Sequence, residues 1–226
     1  KERLYFSCAI FGSKGALIAN APHMPIHLGS MGESVRAILQ KRGNTMVPGQ
    51  VYALNDPYDG GTHLPDVTVI TPIFNKENDK PIFFVGSRGH QADIGGITPG
   101  SMPPNSNTIH EEGILITNFL LVENYIMREE ELRALLVSSD YPARNVDQNI
   151  SDFKALVASN ERGVQEIKRI IKDFGLLVVD AYMTHIRNNA SESVCKILES
   201  LPDGKFENHL DDGSKIKVSV KVDKKN

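Results

Sequence analysis

Apolar and polar positions repeat with two different periods, and the change from one to the other divides the chain near residue 128. From Leu4 to about Leu121 the apolar residues come in short runs broken by Gly and Pro. These are Phe6 to Phe11, a Gly12-Ser13-Lys14-Gly15 turn, Ala16 to Ala19, Val51 to Leu54, Val67 to Phe74, Ile82 to Val85 and Gly113 to Leu120. Runs of this length bounded by turn formers predict strands. One helix interrupts them: Ser30-x-x-Glu33 has the form of a capping box, Val35, Ala37, Ile38 and Leu39 supply an apolar face, and Gly43 ends it.

Beyond residue 128 the period becomes helical. After a short helix over Glu129 to Val137, the positions Ile150, Phe153, Val157, Asn160, Val164, Ile167, Ile171 and Phe174 advance in steps of three and four. Val179, Tyr182, Ile186, Ala190, Val194, Ile197 and Leu201 do so more loosely. Two long helices separated at Gly175 predict an antiparallel hairpin whose apolar stripes are core. Asn160, the polar member of the first stripe, is either a register device or a site residue. Leu201-Pro202-Asp203-Gly204 is a turn into a last β segment, where Ile216 to Val222 alternates. The expected fold is α+β: a Gly/Pro-rich β region carrying the site (1–127), a helical hairpin region (128–201) and the start of a further β segment (202–226). A first residue that is not Met and an ending in mid-alternation suggest a piece of a longer polypeptide.

Composition changes this picture little. A chain of 226 residues, 40% hydrophobic and 23% charged, can bury a core of its own. Its net charge of −3 leaves no basic footprint for nucleic acid and no polybasic patch for a membrane. Cys8 and Cys195 are too far apart in sequence to suggest a disulfide framework or a metal knuckle, so a reducing cytoplasm is the expected compartment. No apolar stretch reaches the length of a membrane span.

The chemistry gathers in two units of one pattern, His63-Leu64-Pro65-Asp66 and His90-Gln91-Ala92-Asp93. Two imidazoles and two carboxylates are the ligands of a divalent metal site, and a mixed N/O set suits zinc, manganese or iron. Positions i and i+3 point to opposite faces of a strand, so each unit is expected on a turn that folds both side chains inward. Pro65, Gly89 and Gly95-Gly96 agree with that. The plainer alternative is a local imidazole–carboxylate hydrogen bond that fixes a loop and binds nothing.

The segments Asn55 to Asp66, Ser87 to Gly96 and Thr98 to Pro103, together with Phe6-Ser7-Cys8, Asn20 to Ser30 and the Pro202-Asp203-Gly204 turn, resemble the hydantoinase B/oxoprolinase family nearly end to end. That family includes the B subunits of ATP-dependent hydantoinases, the C-terminal half of 5-oxoprolinases and the α subunit of acetone carboxylases. The resemblance implies a metal bound by His63 and His90, with Asp93 and Asp66 completing the shell and Asp66 a ligand or general base. It also implies a hetero-oligomer in which ATP is bound by a hydantoinase A-type ATPase subunit or domain that phosphorylates a cyclic amide. This chain itself has no G-x-x-x-x-G-K-[ST] loop. Tyr5 departs from the pattern, standing where a carboxylate is often found in the family. A neutral phenol is a poor replacement for an anionic ligand.

Weaker candidates surround these residues. His23 and His27 are positioned to approach the site or to hydrogen-bond their loop. Arg88 is either a partner for a phosphate or carboxylate of an intermediate or a structural brace. Asp56, Tyr58 and Thr62 are candidates to orient ligands, and Glu111 and Glu112 are either solvated or proton carriers. The function expected is metal-dependent ring opening of a hydantoin or 5-oxoproline activated by the partner. Carboxylation, a metal-clipped assembly module and an ATP-independent hydrolase are the alternatives.

Overall fold

The computed structural model describes residues 5–21, 24–75, 79–100 and 102–224. The chain divides into one unit ending at Gly175 and another beginning at Leu176. In the first unit the alternating runs form a single antiparallel sheet. Its strands are β1 (Phe6–Gly12), β2 (Leu17–Asn20), β3 (Val51–Leu54), β4 (Asp66–Ile73), β5 (Phe83–His90), β6 (Phe119–Glu123) and β7 (Ile126–Met127), in the order β2-β1-β5-β4-β3-β6-β7. The helices of this unit are α1 (Pro25–Arg42), the single turn α2 (Ile109–Glu112), α3 (Glu129–Leu136) and α4 (Val146–Phe174). The second unit contains α5 (Leu176–Ser200) and a two-stranded sheet of β8 (Gly204–His209) and β9 (Lys215–Val220).

Helices cover both faces of the larger sheet. Arg88 of β5, bonded to its cross-strand partner Thr68 of β4, reaches Ser30 and Ser34 of α1, whereas the neighbouring Ser87 and Gly89 meet Leu156 of α4. Successive strand residues point to opposite faces, so α1 and α4 lie on opposite sides. Each side has its own core. Phe11, Val35, Ile38, Tyr52, Leu54, Ile70 and Phe84 pack on the α1 side. Val67, Val69, Leu121, Leu132, Ile150, Phe153 and Leu156 pack on the α4 side. Burial on both faces explains why every residue of β4 is buried.

Several boundaries differ from those read in the sequence, three of them instructively. The first helix begins at Pro25, not at Ser30, because proline is accommodated in a first turn where its missing N–H is not needed. Ser30 is therefore inside the helix and returns its hydroxyl to the Ile26 carbonyl, 3.3 Å away. β5 continues past Val85 through Gly86-Ser87-Arg88-Gly89 to His90. That stretch has no apolar signal; it is held by ladders on both sides, to β1 and β4. Gly89 allows α4 a close approach there, since a Cβ would lie 3.1 Å from the Leu156 side chain, which would have to shift by a few tenths of an ångström. The run from Gly113 enters the sheet only at Phe119, after α2 and an extended stretch.

The helical half divides at Gly175 as its period predicts. Asn160, buried in the α4 stripe, ties the helix to β4, donating through Nδ2 to the Val69 carbonyl at 3.0 Å and to Thr71 Oγ1 at 3.2 Å. The stripe of α5 is not core, because Tyr182, Ile186, Val194 and Ile197 are exposed and Val179 is the buried residue. The sheet that shares its unit has two strands, exposed throughout, and so small a sheet offers little apolar surface to bury against. Among the described residues no helix is long and apolar enough to cross a membrane.

Candidate functional site

Register brings the two His-x-x-Asp units together. Asp66 is the first residue of β4 and His90 the last of β5, and the two are directly paired across the antiparallel ladder. Their side chains share the α1 face, and His90 Nδ1 lies 2.8 Å from Asp66 Oδ1. His63 sits just before β4, in the expected turn closed by the Asp66 N–H donating to the His63 carbonyl at 2.8 Å. Its ring stacks on that of His90 with centroids 5.6 Å apart.

α1 contributes the third imidazole. His27, in its first turn and 1% exposed, places Nδ1 2.8 Å from Ser7 Oγ of β1 and Nε2 3.5 Å from Asp66 Oδ2. That Nε2 is buried and has no hydrogen-bond partner among the described residues. The Asp66 carboxylate thus faces a different imidazole with each oxygen. Tyr5 covers the group: its ring meets those of His27 and His90 edge-on at 5.6 and 5.1 Å, and its carbonyl accepts the His90 N–H. The departure from the family pattern therefore falls directly at the site. His23 lies outside the described residues.

The electrostatics follow from this packing. Burial by itself would raise the Asp66 pKa, but the His27 and His90 imidazoles outweigh it and hold the carboxyl well below the usual range. An ionised carboxylate only accepts, so His90 must present Nδ1–H to it, which leaves the Nε2 lone pair available. His63 is pushed down chiefly by burial, and the neighbouring His90 adds to that while Asp66 and Glu112 oppose it. A lowered imidazole pKa keeps His63 a neutral nitrogen donor at physiological pH.

Arg88 and Asp93 have structural partners instead. Arg88 is fully buried on the α1 face, donating to Thr68 Oγ1 and Ser30 Oγ at 2.7 Å each, to Ser34 Oγ at 2.9 Å and to Thr62 Oγ1 at 3.3 Å. Burial lowers it to about 10, partly offset by Asp66, so it remains a cation. With its donors committed to hydroxyls, the guanidinium braces α1 against β4 and β5. Asp93, expected beside the imidazoles, is engaged by Arg144: Oδ1 accepts Nη1 at 2.7 Å and Oδ2 accepts the backbone N–H at 2.8 Å. The cause is local, because the chain leaves the sheet after His90 and turns through Gly95 (φ 84°) toward the start of α4. Arg144 also donates to the Gly96 carbonyl at 2.7 Å.

The remaining candidates hold loops. Asp56 accepts the Tyr58 N–H and the Thr117 hydroxyl at 3.0 Å each, while Tyr58 itself is exposed. Glu111 caps its own helix turn and Glu112 accepts from Ser106. Ser7, Ser30, Ser34 and Thr68 carried no signal as a group in the sequence; the alternation placing Ser7 on one face with Ala9 and Phe11 could have marked the first. Among the described residues, no group of three or more His, Cys, Asp or Glu side chains converges in an arrangement ready to hold a metal ion.

Comparison with known proteins places the chain in a family. The hydantoinase B/oxoprolinase family model matches residues 1–226. The chain is 48% identical over 232 residues to 5-oxoprolinase of Saccharomyces cerevisiae, covering 97% of this chain and 18% of that protein. It is 27% identical over 199 residues to the caprolactamase subunit beta of Pseudomonas jessenii, covering 88% of this chain and 33% of that subunit. The solved ATP-dependent caprolactamase from Pseudomonas jessenii superposes with a TM-score of 0.83 at 25% identity, over 96% of this chain and 38% of that one. The chain thus spans about a fifth of the length of the 5-oxoprolinase it matches.

Proposed function

Because the chain belongs to the hydantoinase B/oxoprolinase family, we propose that it supplies the ring-opening site of an ATP-dependent cyclic-amide hydrolase acting on a hydantoin or 5-oxoproline. In this reading an ATPase partner subunit or domain phosphorylates the amide oxygen, and water then attacks the ring carbon at the site described here. The observation that carries the reading is the cross-strand pair Asp66–His90, with the His63 and His27 rings gathered around it.

An unstrained amide is a poor electrophile. Phosphorylation of its oxygen makes the ring carbon electrophilic; water adds there, and the ring C–N bond breaks as the nitrogen takes a proton. The acyl phosphate left behind is hydrolysed by a second water to carboxylate and phosphate, so each attack requires water to lose a proton. Asp66 fixes His90 with Nδ1 protonated, so its Nε2 is the acceptor for that proton or a ligand atom. Ser7 holds His27 behind the second carboxylate oxygen, and Arg88 keeps a positive charge beneath the same face. Two imidazole donors, an ionised carboxylate and the unpartnered His27 Nε2 are donor chemistry that fits a divalent cation of the zinc, manganese or iron class. His63, Asp66 and His90 would hold it; Asp93, engaged by Arg144, would not. When bound, such an ion supplies Lewis acidity and lowers the pKa of water toward about 7.

The test is turnover of 5-oxoproline and hydantoins by the intact protein with its ATPase partner, with and without ATP. Ring opening confined to the reactions containing ATP supports the reading. Ring opening that proceeds equally without nucleotide overturns it. Elemental analysis addresses the metal separately, since stoichiometric metal in both His63→Ala and His90→Ala contradicts the assigned ligands.

A further inference from the structure

His90 faces two ways. Its Nδ1 is turned to Asp66 on the α1 side, while the residue also lines a cleft of about 950 Å³ between β1, β5 and α4. The volume lies within the span of about 300–1,000 Å³ usual for small-molecule sites.

The cleft is held open along its length. At its far end Cys8 Sγ and Ser159 Oγ are hydrogen-bonded at 3.3 Å, and along its floor Ser87 donates to the Leu156 carbonyl at 3.2 Å. At the His90 end Asn149 of α4 donates to Gln91 Oε1 at 3.0 Å and to the Asp93 carbonyl at 2.8 Å. These three attachments fix α4 at a set separation from the sheet, and small side chains leave the intervening space unfilled. Ala155 and Ser159, four residues apart, share the α4 wall with Asp152 and Gln148, about one and two turns nearer the His90 end.

Its two ends differ in chemistry. Tyr5, His90, Gln148 and Asp152 make one end polar, whereas Cys8, Ala155, Leu156 and Ser159, its hydroxyl paired with the Cys8 thiol, make the other weakly polar. A simple lactam has the same division, one hydrogen-bonding edge closed by a loop of methylenes, and 5-oxoproline adds a carboxylate to that loop. We propose that this cleft binds the cyclic amide with its amide edge toward His90 and its methylenes toward Ala155 and Leu156, and that Ala155 and Ser159 limit the ring size admitted. The assignment of ligand class rests on the ring-opening reading above; the cleft itself does not. A ligand so placed meets His90 from the α4 side, while Arg88 and its hydroxyls remain on the other side of the sheet.

The experiment fills the cleft from the α4 wall with Ala155→Leu and, independently, Ser159→Leu, both in the intact enzyme. KM for ε-caprolactam and 5-oxoproline in ATP-driven turnover is measured beside saturation-transfer NMR of 2-pyrrolidinone and the thermal midpoint. Added methylenes in a fitted pocket cost roughly tenfold or more in specificity. KM is expected to rise by at least about tenfold, more for the larger ring, with probe saturation lost and the midpoint held in at least one of the two variants. Unchanged KM for every ring opened, in both variants, overturns the cleft assignment. If the unmodified enzyme opens no cyclic amide, the ring-opening reading fails and the cleft is judged by the probe alone. Binding of 2-pyrrolidinone that Ala155→Leu or Ser159→Leu abolishes supports it; absent binding, or binding neither variant changes, overturns it.

Discussion

The two His-x-x-Asp units share a pattern and have opposite fates. The first contributes its carboxylate at the centre: Asp66 opens β4, points to the α1 face and lies between His27 and His90, above a buried Arg88. The second contributes its imidazole, and its own carboxylate, Asp93, goes to Arg144, whose side chain is 40% exposed. The difference comes from where each unit meets the sheet. In an antiparallel ladder the first residue of β4 faces the last residue of β5, so the end of one unit is paired with the start of the other. His63 and Asp93 lie outside the ladder, and only His63 turns back onto the site. Equal spacing in a sequence therefore does not imply equal roles; register assigns them.

The buried half of this comparison is the easier to break. Replacing Arg88 with Met leaves the hydroxyls of Thr68, Ser30 and Ser34 short of a donor beneath Asp66 and should cost about 3 kcal/mol or more of folding stability. Replacing Arg144 with Met, which removes a partly exposed pair, should cost about 1 kcal/mol or less. Chemical denaturation of both variants measures the contrast, and equal losses would remove it. On activity, Asp66→Asn should lower kcat/KM by about 100-fold or more, as expected when the group orienting a proton acceptor is lost. Asp93→Asn should lower it by less than about tenfold through its loop.

Acid sharpens the comparison further. The folded-state pKa of Asp66 is held below its unfolded value of about 3.9, so its contribution to stability is complete above that pH and is lost as pH falls toward the folded value. Urea midpoints between pH 5 and 2.5 should decline more steeply for the unmodified protein than for Asp66→Asn. Parallel curves would mean that the imidazoles do not hold the carboxylate. The smallest effect concerns Tyr5. Its replacement by Asp sets an anion against His27 and His90 and should tighten divalent-metal binding by about tenfold, read by titration of the metal-free protein. Unchanged or weaker affinity would place Tyr5 outside the metal's ligand shell.

Legibility in the sequence followed physical strength. Val51 to Leu54 was readable to the residue and α4 to within a few, because alternation and the 3.6 period are properties of the segments themselves. β5 was cut short at Val85 because Gly86-Ser87-Arg88-Gly89 owes its strand to neighbours on both sides. The first helix began late because Ser30-x-x-Glu33 imitates a cap within a helix already begun at Pro25. At the site, the turn at His63 and the approach of His27 were visible in residue type. The choice of Asp66 over Asp93 was not, since it depends on register between segments distant in sequence. Nor was the hydroxyl cradle of Arg88, drawn from Ser30, Ser34, Thr62 and Thr68 on separate segments.

The central claim is that the units exchange partners, Asp66 with His90, and a double-mutant cycle in folding free energy tests it most directly. Asp66→Asn, His90→Ala and their combination are compared with Asp93→Asn, His90→Ala and theirs. The structure predicts a coupling of at least about 1 kcal/mol between Asp66 and His90, with Asp93 and His90 additive within about 0.5 kcal/mol. Additivity of Asp66 with His90, or coupling of His90 to Asp93 instead, would contradict it.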